Sequence, residues 1–188
     1  MFLQCLPMCV VSPSAVLVHR SVFGDVGSFD ESYPVCEDYE LWLRVAARHR
    51  VALVREPLVT KFGGHADQLS RCFWGMDRWR VRALYSCLCR PALPWLWRRA
   101  AHQEMGRKLR ILITGYAKRG KEAEASKLEQ FEQSIAAWWQ RKGAGPESTI
   151  DATVLPLPEL LRAANLSSPR NRDRQGAARK FNGLGRHG

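Results

Sequence analysis

The sequence predicts an α/β fold followed by a helical extension, and three observations carry that expectation. Short β-rich runs, at residues 15–18, 51–54 and 56–59, are bounded by turn residues. Between the first two, apolar residues recur at helical spacing from Glu37 to His49. Beyond Pro94 two longer segments keep the helical period on either side of Gly120. Strands within residues 15–62 are therefore expected to pack with the helix 37–49, on an incomplete sheet with one open edge.

Met1 to Val18 is apolar, yet Pro7, Ser12, Pro13 and Ser14 interrupt it and no basic residue opens it. It reads as a buried strand rather than a leader or a spanning helix. Ser21 is placed to cap a short helix through Val26, which Gly27 ends. The turn Gly27-Ser28-Phe29-Asp30 is expected to set Phe29 on the core and to leave Asp30 and Glu31 outward, with Asp30 bonding its own turn. In the helix 37–49, Leu41, Trp42, Val45 and Ala46 form the apolar stripe. Its first turn is acidic, as the helix dipole favours, and Glu40 stands four residues before Arg44 for an ion pair.

Gly63-Gly64 breaks the pattern, and a helix starting at Asp67 or Ser70 runs to about Arg90, where Pro91 and Pro94 stop it. The next helix, from Trp95 to about Lys118, carries Leu109, Leu112, Ile113 and Tyr116 on one face. Its partner, Lys121 to Arg141, answers with Leu128, Phe131, Ile135 and Trp138, so the two are expected to form an antiparallel hairpin. Gly143-Ala144-Gly145-Pro146 marks a boundary. Past it the chain is rich in Arg, Gly, Asn and Pro, and residues 143–188 read as a mostly disordered basic tail with one short helix, Pro158 to Asn165. Three regions follow: 1–72, 73–142 and 143–188.

Hydrophobic residues make up 46% of the chain and charged residues 25%, which excludes wholesale disorder. The formal charge of +11 is uneven: residues 1–75 hold 7 Lys/Arg against 8 Asp/Glu, and residues 76–188 hold 22 against 10. Basicity thus belongs to the C-terminal part, where it suits nucleic acid, acidic polysaccharide or peripheral contact with an anionic surface. The six cysteines, at 5, 9, 36, 72, 87 and 89, include no C-x-x-C pair. They read as reduced, mostly buried thiols of a cytoplasmic protein. The tryptophans from Trp74 onward suggest sugar-stacking platforms, but helical spacing favours a core role.

Three motifs stand in order: Pro13-Ser14-Ala15-Val16-Leu17-Val18-His19-Arg20-Ser21-Val22-Phe23, then Gly27-Ser28-Phe29-Asp30-Glu31-Ser32, then Cys36-Glu37-Asp38-Tyr39-Glu40-Leu41-Trp42-Leu43-Arg44. This order resembles the acceptor-side half of a bacterial family 2 glycosyltransferase, an enzyme of the GT-A (nucleotide-diphospho-sugar transferase) fold. The resemblance covers residues 5 to about 90. It implies that residues 1–72 are the C-terminal part of a GT-A domain whose N-terminal, nucleotide-binding half is missing. The implied activity is inverting transfer of a sugar from a nucleotide sugar to the hydroxyl of a carbohydrate or lipid-linked acceptor.

The resemblance gives Asp38 the role of general base, with Glu37 as its neighbour. The stretch Lys61-Phe62-Gly63-Gly64-His65-Ala66-Asp67 is the second constellation, since two glycines allow close backbone approach to a diphosphate. By resemblance Lys61, Gly63, Gly64 and Arg71 contact the donor, and His65 helps to hold a divalent metal, Mg or Mn. No Asp-x-Asp, the family's metal motif, occurs in the chain. The isolated chain is therefore expected to be inactive; the donor and metal belong to the complete enzyme, and a separately encoded N-terminal half is one candidate partner. Two other classes stay open: a basic nucleic-acid-binding module and a helical protein-interaction module built on residues 95–141.

Overall fold

The longer helical periods in this chain form helices, although the one expected to start at Asp67 or Ser70 starts at Asp77, and among the described residues the β-rich runs find no partner. A computed structural model describes residues 1–60, 62, 73–142 and 149–162. Seven α-helices occur among the described residues: α1 (Phe2–Cys5), α2 (Arg20–Val26), α3 (Glu37–Arg48), α4 (Asp77–Leu88), α5 (Trp95–Ala117), α6 (Glu122–Lys142) and α7 (Glu159–Arg162). A single 3-10 turn spans Pro13–Ala15.

The expected α/β, partial GT-A architecture is overturned, because among the described residues no strand forms. The reason is non-local. Residues 16–18 and 51–59 have the composition of strands, but a strand exists only where a second backbone pairs with it, and among the described residues none pairs with them. Leu17, Leu53 and Leu58 stand 102%, 84% and 72% exposed, so apart from Val18, which packs on α3, these runs lie outside the core. The N-terminal stretch differs as well. Phe2, Cys5 and Leu6 fall at i, i+3 and i+4, which puts them on one helical face; all three are buried, and Phe2 stacks on Trp97 with ring centroids 4.8 Å apart. Phe29 is exposed instead of core-facing.

Helix α3 is the hinge between two cores because it is apolar on two sides. Tyr39, Leu43 and Ala46 enter the main core with α1, α4 and α5. Leu41, Trp42 and Val45 pack on the other side against Val18, Val22, Phe23 and Val26 of α2 and its approach. Gly27 ends α2 at φ 81°, donating its N–H to the Phe23 carbonyl, and a Cβ there would meet the Arg44 guanidinium at 3.3 Å. The α5–α6 hairpin forms as its stripes require: Leu109, Leu112 and Tyr116 are buried facing Leu128, Phe131, Ile135 and Trp138, and Gly120 turns the chain at φ 69°. Arg98 of α5, fully buried, donates to the carbonyls of Arg90, Pro91 and Leu93, so that one guanidinium holds the α4–α5 connection.

Residues 149–162 lie along α4 as a strap. The Ile150 amide donates to Leu88 O at 3.1 Å, Arg78 donates to Leu160 O, and Leu155, Leu157 and Leu161 are buried. Tyr85 fastens the middle by donating its hydroxyl to Leu155 O at 2.6 Å. Tyr85→Phe removes that donor and leaves a buried carbonyl unpaired, so a loss of about 1–2 kcal/mol in urea unfolding is expected, together with faster proteolysis within 149–162. Unchanged stability and unchanged proteolysis would show that the strap is held by its leucines alone.

Candidate functional site

The sequence places two carboxylates in the first turn of α3, and the fold decides which way they look. Cys36, the residue before the helix, adopts a left-handed backbone at φ 62°, a conformation that residues with a Cβ seldom take. Its thiol donates to Met76 O at 3.9 Å, which ties the start of α3 to the start of α4. Tyr39, 1% exposed, donates its hydroxyl to Leu6 O at 2.6 Å. One turn later Glu40 and Arg44 lock the other side. The helix is therefore pinned, while Glu37 and Asp38 remain partly exposed.

Asp38 is fixed at one oxygen. Its Oδ1 accepts the Tyr39 amide at 2.7 Å. The N-terminal segment, held by Tyr39 at Leu6 O and by Lys108 at Pro7 O (2.8 Å), brings Cys9 beside it. Burial, and then the neighbouring Asp38 carboxylate, pushes the Cys9 thiol up to about 12. Burial also pushes Cys36 up to about 12; Arg80 opposes the shift, and Asp38, Glu37 and Asp77 add to it. Behind these groups, Asp77 pairs with Arg80 at 2.9 Å and with Lys108 at 3.5 Å, and Lys108 pairs with Glu104 at 3.2 Å. Reading the sequence missed this second row, because Cys9, the Asp77–Arg80 pair and Lys108 come from three separate segments. Only the Asp77–Arg80 spacing, i to i+3, was a local signal that could have found part of it.

The raised thiols have a consequence for stability. In the folded chain Cys9 and Cys36 hold their protons more tightly than in the unfolded chain. Below the ordinary thiol value of 9.0 both states are neutral there; as the pH climbs from 9.0 toward 12, the unfolded chain ionises first and stability falls. The urea midpoint is expected to drop between pH ~8 and ~10.5, and to drop less in the Cys9→Ala, Cys36→Ala double variant. An equal drop in both would contradict the assignment.

Lys61, Gly63, Gly64, His65 and Arg71 lie outside the described residues, so the structure does not place them against Asp38. The described residues contain no group of three or more His, Cys, Asp or Glu side chains able to hold a metal. Two surface cavities of about 370 and 360 Å³ occur. The first is lined by His102, Gly106, Arg110 and Glu132 between α5 and α6, the second by Arg82, Tyr85, Ser86 and Arg162, and neither lining includes Glu37 or Asp38. Trp79 and Trp138 are buried and Trp74, Trp97 and Trp139 pack against the core, as their spacing implies, but Trp95 is 44% exposed.

The basic half is less free than its charge suggests. Arg78, Arg98 and Lys108 are buried and donate to backbone carbonyls, which removes three of the cations that a nucleic-acid surface would use. Among the described residues no helix is long and apolar enough to cross a membrane. No family model, no curated protein and no solved structure matches the chain.

Proposed function

We propose that this chain is the acceptor-activating piece of an inverting family 2-type glycosyltransferase. Asp38 accepts the proton of an acceptor hydroxyl as that oxygen attacks the anomeric carbon of a nucleotide sugar, and the nucleoside diphosphate leaves from the opposite face. Glu37 stands beside it and adds a second negative charge to the partly exposed first turn of α3. The observation that carries this reading is the state of Asp38: a partly exposed carboxylate, fixed at one oxygen by the Tyr39 amide, on a helix pinned at the other side by buried groups. A base must be positioned yet reachable, and an ordinary capping carboxylate needs neither the second row of charges nor the anchored N-terminal segment.

Lys61, Gly63, Gly64, His65 and Arg71 are the donor-side groups in this proposal, His65 among the ligands of a divalent metal. The remaining donor contacts, including the acidic metal ligands, come from a second polypeptide or segment, which agrees with the absence of Asp-x-Asp from the chain. The acceptor is a carbohydrate or lipid-linked hydroxyl.

The test joins the chain through a flexible linker to the donor-binding half of a family 2 glycosyltransferase that retains Asp-x-Asp. Release of UDP from UDP-glucose with Mn²⁺, dependent on an added sugar acceptor, is expected of the joined protein and not of the chain alone. Robust release by the chain alone overturns the half-enzyme reading. A joined protein that binds UDP-glucose but transfers nothing overturns the glycosyltransferase reading itself.

A further inference from the structure

Between α3 and residue 60 the chain leaves the body of the protein. Residues 50–55 run without helix, turn or bend, the chain bends at Glu56, and every residue from Arg50 to Thr60 is exposed. Val51, Leu53 and Val54 stand 45%, 84% and 61% exposed. Among the described residues no hydrogen bond engages the backbone of 51–60. Such a segment has two unmet needs: donors and acceptors along its backbone, and apolar side chains on both faces of an extended chain. A second extended backbone meets both at once.

We infer that this run pairs with the same run of a second copy of the chain, antiparallel about a twofold axis at Leu53. Charge chooses the register. An axis between Ala52 and Leu53 sets Arg50 opposite Arg55 of the other copy, and a parallel, in-register pairing sets every charge opposite itself; like charges directly opposite destabilise a ladder. With the axis at Leu53, Arg50 lies opposite Glu56 at both ends. Among axes within residues 51–55 this is the one register that sets arginine against glutamate. On one face Leu53 then meets Leu53, flanked by Val51 with the stem of Arg55; on the other face Val54 meets Ala52 twice. Pro57, which has no N–H, and the bend at Glu56 end the ladder just where the charge pair closes it. The interface is independent of any catalytic role for Asp38.

Sedimentation velocity of the full chain over a range of concentrations tests this. A monomer–dimer equilibrium is expected. Arg50→Glu or Glu56→Arg alone should weaken it about tenfold, since each change turns two attractive pairs into two repulsive ones. The double variant, Arg50→Glu with Glu56→Arg, should restore it. All four positions in the symmetric pair are exposed, so the variants are expected to keep the wild-type circular dichroism spectrum. In hydrogen exchange, amides of 51–55 should gain protection as concentration rises. A chain monomeric at every concentration overturns the pairing, and so does a dimer, larger oligomer or aggregate that ignores the single charge reversals. A dimer weakened by both singles but not restored in the double overturns the register.

Discussion

Arg44→Ala is expected to cost about 3–5 kcal/mol of folding stability, the usual result of removing one partner from a buried ion pair. Arg44 and Glu40 are 8% and 5% exposed. The guanidinium meets Glu40 through Nε at 2.9 Å to each oxygen and through Nη2 at 2.7 Å. It also donates to the carbonyls of Val26, the last residue of α2, and of Gly27 (3.1 Å) and Ser28 (2.7 Å), which follow it. Truncation therefore orphans three carbonyls and leaves Glu40 with only the half-exposed Arg90, at 3.3 Å. Arg44→Lys keeps the charge but not the fork, and should lose less. Arg48→Ala supplies the control: its pair with Asp25, at 3.0 Å, has both side chains about half exposed, so less than about 1 kcal/mol is expected. Urea unfolding of the three variants checks this. A loss of under about 1 kcal/mol for Arg44→Ala would mean that α2 is held on α3 by the Leu41, Trp42 and Val45 packing alone.

The helices were legible in the sequence because their information is local. The span of α3, its acidic first turn and the Glu40–Arg44 pair all follow from spacings of three and four residues, and so do the facing stripes of α5 and α6. Gly27 and Gly120 were readable as helix ends because only a left-handed or similar backbone closes those turns cheaply. Asp30 was readable as a turn former: its carboxylate takes the Ser32 amide and hydroxyl. The strands were not legible, since β-composition at residues 51–54 reports what the chain tolerates and not whether a second backbone lies beside it. Nor was α1, where an apolar run hid the helical spacing of Phe2, Cys5 and Leu6.

For the candidate site the division is the same. That Glu37 and Asp38 open a helix follows from the sequence, but their surroundings do not. Lys108 reaches the N-terminal segment across about 100 residues of chain, and the Cys9–Asp38 neighbourhood depends on that anchor and on Tyr39. Long-range placement of this kind has no signature in composition or period.

The central claim is that Asp38 is the base. In the protein joined to a donor-binding half, Asp38→Asn is expected to lower the rate of transfer from UDP-glucose by about 10²–10⁴-fold, the ordinary contribution of a positioned general base. The substitution is nearly isosteric and its amide oxygen can still accept the Tyr39 N–H, so the start of α3 should hold; what the amide cannot do is take the acceptor's proton. Donor binding should be unchanged, which places the loss in kcat rather than in the affinity for UDP-glucose. Glu37→Gln, by comparison, alters only the neighbouring charge and should cost far less. The deciding measurement is therefore kcat for Asp38→Asn beside the parent joined protein: a fall of at least about a hundredfold with donor affinity intact is what this account predicts, and a fully active Asp38→Asn protein would contradict it.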